Sequence, residues 1–103
     1  MIAIMSEETR LRDEMCAVGK SIFDRGLTFG STGNISARLS DGTMLMTPTD
    51  CSLGTLDPAR LSRCTADGTL ISGDRPTKEA FLHSCMYCER QSAGAVVRSE
   101  ERR

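Results

Sequence analysis

The sequence predicts an α/β layered domain with a mainly antiparallel sheet, incomplete at its C-terminal end. Three observations predict it: a helical period over residues 6–25, two hairpins turning at Asp41-Gly42 and Asp67-Gly68, and a second helix leading into the apolar run Ala95-Val96-Val97. With 103 residues the chain makes one domain at most, near the size at which a core becomes marginal.

In the first helix Leu11, Met15, Val18 and Ile22 share one face, while Glu7, Glu8, Arg12, Asp13 and Lys20 lie elsewhere. Ser6 is its N-cap, the two glutamates suit the positive end of the dipole, and Gly26 suits the C-terminal cap. Residues 27–34 form a loop of small and turn-forming types. Ile35, Ala37 and Leu39 then alternate with Ser36, Arg38 and Ser40, the period of a strand buried on one face. After the Asp41-Gly42 turn, Thr43-Met44-Leu45-Met46-Thr47 is apolar on both faces and closes a hairpin.

Pro48 to Leu56 is irregular, and Asp57-Pro58 starts a short helical turn with Asp as cap and Pro in first position. The second hairpin pairs residues 61–64 with 69–72. Gly73-Asp74-Arg75-Pro76 breaks that strand, and Thr77 is expected to cap a helix running as far as Arg90. The expected buried side of this helix is Phe81, Leu82, Cys85 and Met86. Ala95-Val96-Val97 opens a buried strand that the charged ending Arg98-Ser99-Glu100-Glu101-Arg102-Arg103 does not continue.

A net charge of -1 with 26% charged residues gives no electrostatic reason for a nucleic acid or an anionic membrane as partner. Aromatics at 4%, without Trp, supply no stacking platform for single-stranded nucleic acid. The run Met1-Ile2-Ala3-Ile4-Met5 is too short for a signal-peptide core or a membrane span; residues 1–5 read as an N-terminal extension, with Met5 an equally good start. The expectation is a soluble cytoplasmic protein that binds neither nucleic acid nor membrane.

Cys16, Cys51, Cys64, Cys85 and Cys88 are an odd set without a secretory signal, which argues for reduced thiols. Cys85 and Cys88 beside His83 have the spacing of half a zinc site. A second ligand pair is missing and the segment reads as helix interior, so packing cysteines are favoured over a metal or redox site.

Two motifs carry chemistry. In Gly30-Ser31-Thr32-Gly33-Asn34-Ile35-Ser36 the glycines permit close backbone approach, and N–H groups with short polar side chains can form an anion-binding concavity. No Gly-Lys-Ser/Thr follows, so it is not a Walker loop, and taken alone an ordinary helix-to-strand connection is the favoured reading. In Pro76-Thr77-Lys78-Glu79 a helix start offers free N–H groups to a phosphate or carboxylate, and Lys78 adds a compact cation. Glu79 is either a general acid/base or a complement to the helix dipole. His83, four residues on, reads as a packing or hydrogen-bonding histidine, and Tyr87 on the same face can close a small polar network.

In order, Gly33-Asn34-Ile35-Ser36-Ala37-Arg38, Thr47-Pro48-Thr49, Pro76-Thr77-Lys78-Glu79 with His83 and Tyr87, and Ala95-Val96-Val97 resemble the class II aldolase/adducin family. Residues 27–34, Ser52-Leu53-Gly54 and residues 56–62 look most like its branch of 3-oxo-tetronate phosphate decarboxylases. The resemblance covers residues 6–97 and the N-terminal half of the family's domain. It implies a class II aldolase-like layered α/β/α domain and a zinc-dependent lyase, decarboxylase or aldolase, acting on a small phosphorylated sugar acid or ketose. It further implies a homotetramer in full-length relatives, with the metal stabilising a developing enediolate. Carried over by position, Ser31, Gly33, Asn34, Thr49, Thr77 and Lys78 would bind substrate phosphate, and Glu79 would be the catalytic acid/base.

Three departures bear on that implication. Asp50 stands where the family often has Gly, and its charge disfavours a phosphate unless the backbone turns it outward. Thr77-Lys78 replaces a Ser-Ser pair. Arg98 stands where a zinc-binding His-x-His pair begins, and a charged guanidinium has no lone pair for a metal. We therefore expect no metal ligands in this chain, with zinc confined to full-length relatives, and residues 98–103 as an aberrant charged tail. Truncation by a frameshift, premature stop or fragmentary gene model is expected, and with it no lyase activity from the chain alone. The alternative is a non-catalytic interaction or assembly module of adducin-like type.

Overall fold

The first helix forms where the period predicts it. In the computed structural model, which describes residues 6–98, α1 spans Glu7–Asp24. Ser6 Oγ accepts from the Thr9 N–H at 3.1 Å, and Gly26 takes a φ of +75° just beyond the helix, a conformation that favours glycine. No helix among the described residues is long and apolar enough to cross a membrane.

Strands β1 (Asn34–Arg38), β2 (Met44–Met46), β3 (Ser62–Cys64), β4 (Leu70–Ser72) and β5 (Ala95–Arg98) make one sheet in the order β4-β3-β2-β1-β5. Every pairing is antiparallel, and both expected hairpins are present. Between them, short 3-10 turns occupy Leu53–Thr55 and Pro58–Arg60, the second capped by the Asp57 carboxylate accepting from the Ala59 N–H at 3.0 Å. Helix α2 (Ala80–Glu89) then carries the chain from edge strand β4 to the opposite edge, β5.

The strand period distributes the core to both sides of the sheet. On one side Leu11, Met15 and Ile22 of α1 pack on Ile35, Ala37, Leu39 and Leu45, with Leu53 and Leu61. Gly19 belongs to this contact, because a Cβ there would lie 2.8 Å from the Leu53 carbonyl oxygen. On the other side Ala80 and Tyr87 of α2 pack on Met44, Met46, Cys64 and Val96. This is the layered α/β/α arrangement, with a sheet antiparallel throughout.

Five expectations need correction. Val18 is exposed, because α1 is rotated to bury Met15 on the sheet and Gly19 against Leu53 and Leu56. Ser36 is fully buried, since α2 covers the face that the alternation assigned to solvent. Thr77 does not cap α2: the helix begins at Ala80, and Thr77 Oγ1 instead accepts from the Glu79 N–H at 3.3 Å within a preceding turn. The buried face of α2 is also inverted.

Ala80, His83, Ser84 and Tyr87 face inward, while Phe81 is 74% exposed and Leu82 and Met86 also stand outside. The cause lies in β1, which presents Asn34 and Ser36 beneath the helix. Buried polar groups require partners, and only the His83–Tyr87 stripe supplies them. At the chain's end, Arg98 continues β5 opposite Asn34 rather than opening a tail. The expected extension at residues 1–5 and the remaining residues 99–103 lie outside the described residues. All five cysteines are free thiols, and burial raises the pKa of Cys64.

Leu45 is fully buried under α1, so Leu45→Ala should cost about 2–5 kcal/mol of unfolding free energy by urea denaturation. Phe81→Ser should change it by less than about 0.5 kcal/mol. Comparable losses in the two variants would contradict this orientation of α2.

Candidate functional site

The site begins where the chain enters β1. Gly33 has a φ of +83°, and a Cβ there would meet Thr28 Cγ2 at 2.8 Å and the Arg98 carbonyl at 3.1 Å. Only glycine allows this loop to press so closely against β5. Thr32 Oγ1 closes the loop on itself, accepting from the Phe29 N–H at 3.1 Å and donating to the Phe29 carbonyl at 2.7 Å.

The exit from β2 is tied to the same place. Thr47 Oγ1 accepts from the Ile35 N–H at 3.2 Å, and the Thr47 N–H donates to the Ile35 carbonyl at 2.9 Å. Pro48 and Pro76 form an isolated antiparallel bridge. It is flanked by Thr49 N–H donating to Arg75 O (2.9 Å) and Thr77 N–H donating to Thr47 O (3.2 Å).

These bonds gather three distant segments around a cleft of about 230 Å³, lined by Ser31, Thr32, Gly33, Asn34, Pro48, Thr49, Asp50, Thr77, Lys78 and Glu79. Every site residue expected from sequence is in that lining. Thr32, Pro48 and Asp50 are additions. Ser31 and Lys78 are exposed at the rim, and Lys78 makes no ion pair among the described residues. Asp50 is also exposed, with a left-handed φ of +60°, the conformation that a glycine would adopt without strain.

Glu79 is held from two sides. Its Oε2 accepts from Asn34 Nδ2 at 3.1 Å and pairs with the Arg98 guanidinium. The charged ending predicts a tail from Arg98 onward, whereas the structure sets its guanidinium on Glu79. The signal was available in the alternation of β5, which puts Arg98 on the same face as the buried Val96.

Behind the cleft runs a buried polar chain. Asn34 Oδ1 bonds His83 Nε2, His83 Nδ1 lies 2.6 Å from Ser36 Oγ, and Ser36 Oγ lies 2.8 Å from the Tyr87 hydroxyl. Because Asn34 gives its amide hydrogen to Glu79, its Oδ1 must accept, so His83 carries its proton on Nε2. Nδ1 is then left to accept from Ser36. Burial pushes the His83 pKa below its ordinary value of 6.5, in keeping with a neutral ring. Burial raises the Tyr87 pKa, opposed by the Ser36 hydrogen bond and by the Arg38 guanidinium, 4.5 Å above the ring centre. Arg38 also donates to the carbonyls of Tyr87 (2.8 Å) and Gln91 (3.0 Å), anchoring the end of α2 to β1. His83 and Tyr87 therefore form the polar network that their spacing predicted.

The residues do not fit the zinc that the family resemblance implies. The one histidine, His83, is fully buried with both ring nitrogens bonded. Glu79 is occupied by Asn34 and Arg98, and Arg98 offers no lone pair. Among the described residues no group of three or more His, Cys, Asp or Glu side chains is placed to hold a metal. Nor do Cys85 and Cys88 join His83, which faces the sheet while Cys88 is exposed.

The fold and this cleft define a class. The chain matches the Class II Aldolase and Adducin N-terminal domain over residues 13–98, and it belongs to that family. Among its relatives, the 3-oxo-tetronate 4-phosphate decarboxylase of Cupriavidus necator is 50% identical over 93 residues, covering 90% of this chain and 42% of the relative. Methylthioribulose-1-phosphate dehydratase of Acidiphilium cryptum is 36% identical over 85 residues, 82% of this chain and 40% of the relative. The crystal structure of YgbL from Escherichia coli superposes with a TM-score of 0.90 at 42% identity, covering 94% of this chain and 47% of that one. The chain thus spans less than half the length of these relatives.

The neutral His83 sets a pH dependence. Its folded pKa lies below 6.5, so the unfolded chain binds the proton first as pH falls. Stability from this group is complete above pH 6.5 and declines below it until the folded value is reached. Urea midpoints should fall between about pH 7.5 and pH 5.5, and fall less in His83→Gln, which has no proton to take up. An equal fall in both proteins would contradict the assignment.

Proposed function

We propose that the chain carries the substrate-holding part of a lyase site for a small phosphorylated sugar acid, and that it does not turn this substrate over by itself. One observation carries the reading: the loop at Ser31–Asn34, the Thr49 turn and the Thr77–Glu79 turn converge on a single cleft. In it the hydroxyls of Ser31, Thr49 and Thr77 and the amide of Gly33 would meet the phosphate, with Lys78 supplying charge at the rim. Asn34, also expected at the phosphate, would turn its second amide hydrogen to it while the first fixes Glu79, which would move a proton at the carbon beside the substrate carbonyl.

The substrate class is taken from the decarboxylase relatives, whose name specifies a phosphorylated 3-oxo acid. Zinc is assigned to full-length relatives alone, since the donors in this chain do not fit it, and no chemical step here is routed through a metal. The soluble, cytoplasmic placement is part of the same reading.

A second reading, a non-catalytic assembly module, is favoured by one feature. Phe81, Leu82 and Met86 leave an apolar face on α2 open, and such a face invites a protein contact.

The catalytic reading is tested by joining residues 6–97 to the remainder of the Cupriavidus necator decarboxylase. The fusion should decarboxylate 3-oxo-tetronate 4-phosphate, and Glu79→Gln should lower its turnover at least about 100-fold. The chain alone should show none. Unchanged turnover in the Glu79→Gln fusion would remove the acid/base role.

A further inference from the structure

We propose that Arg98 is the counter-charge of this site: paired with Glu79 where a metal does not fit, it lets a phosphate-class anion enter the cleft without a divalent cation. The inference rests on the reading of the cleft as an anion site. Its geometry comes from the sheet. The ladder between β1 and β5 sets Arg98 directly opposite Asn34, and the strand alternation turns its side chain toward α2 with Val96. There Arg98 Nη1 meets Glu79 Oε2, the oxygen that also accepts from Asn34 at 3.1 Å.

The side chains of Arg98 and Glu79 are 35% and 27% exposed, so water screens them less than it screens an open surface pair. Charge balance then decides what the cleft can accept. Among the described residues, Asp50 and Glu79 are the carboxylates in its lining and Lys78 is the cation there. Without Arg98 negative charge prevails beside a site built from hydroxyls and backbone donors, and a phosphate is repelled. With Arg98 on Glu79 that carboxylate is cancelled, Lys78 offsets Asp50 at the exposed rim, and the anion meets a cleft without net negative charge. Asn34 cannot do this, because a neutral amide orients a carboxylate without cancelling its charge. Arg98 therefore acts through Glu79 as a charge-compensating and positioning residue. The ligand class is inorganic phosphate or a phosphomonoester.

The test is calorimetric titration of inorganic phosphate into the intact chain in EDTA, with Arg98→Gln, Arg98→Lys, Glu79→Gln and the double variant Arg98→Gln/Glu79→Gln. The wild type should bind, and Arg98→Gln should weaken binding about tenfold by uncovering the carboxylate. Arg98→Lys, Glu79→Gln and the double variant should each stay within about threefold of wild type or bind more tightly, since none leaves an uncompensated carboxylate. Undiminished binding in Arg98→Gln, weak binding in the double variant, or weak binding in Glu79→Gln would overturn the counter-charge and leave the anion cleft standing. Wild-type binding that appears only when zinc is added would do the same. No binding with or without zinc would remove the cleft reading, and the proposal with it.

Discussion

The Asn34 side chain joins the cleft to the buried face of α2, and the placement of both depends on it. Its amide nitrogen donates to Glu79 at the cleft wall, while its oxygen accepts a hydrogen bond from His83 Nε2–H beneath the helix. An amide is the right group for this position, since it offers a donor and an acceptor from one planar head. The direction of every bond beyond it follows: His83 accepts from Ser36, and Ser36 is left to accept from Tyr87. Leaving any of these buried groups unpaired would cost about 1–3 kcal/mol, which is enough to fix the rotation of α2 against the pull of its apolar side chains. The exposed Phe81, Leu82 and Met86 are the consequence of that choice.

Electrostatics give the site its character. Family membership supplies the fold and the order of the motifs, and the relatives' names supply a substrate class to propose. The residues themselves supply a different charge arrangement from the one the family resemblance implies. A guanidinium occupies the end of β5, and it reaches the same carboxylate oxygen that Asn34 orients. Thus Glu79 is fixed by a neutral donor and a cationic one together, with no metal-ligating group among its partners in the described residues.

Much of the architecture was legible in the sequence because it depends on local patterns. The turns at Asp41-Gly42 and Asp67-Gly68, the alternation of Ile35, Ala37 and Leu39, and the Ser6 and Asp57 caps all act within a few residues. The face of α2 was not legible, because it depends on which β1 side chains lie beneath it. An apolar stripe is the ordinary signal for burial, and nothing local to residues 80–89 reveals a polar floor. Ser36 was misplaced for the same reason, its burial coming from a helix about 50 positions away. The cleft was legible only as two separate motifs that a family resemblance joined. What the motifs lacked was the Pro48–Pro76 bridge that brings them together, and the pairing of Arg98 with Glu79 across the β1–β5 edge.

The central claim is that these separated loops form one anion site. Amide chemical-shift mapping during a titration with inorganic phosphate tests it most directly. The account predicts a saturable set of shifts confined to residues 31–34, 48–50 and 77–79, with α1 and the β3–β4 hairpin unmoved. Shifts scattered over the basic side chains elsewhere, or centred on the open face of α2, would contradict it.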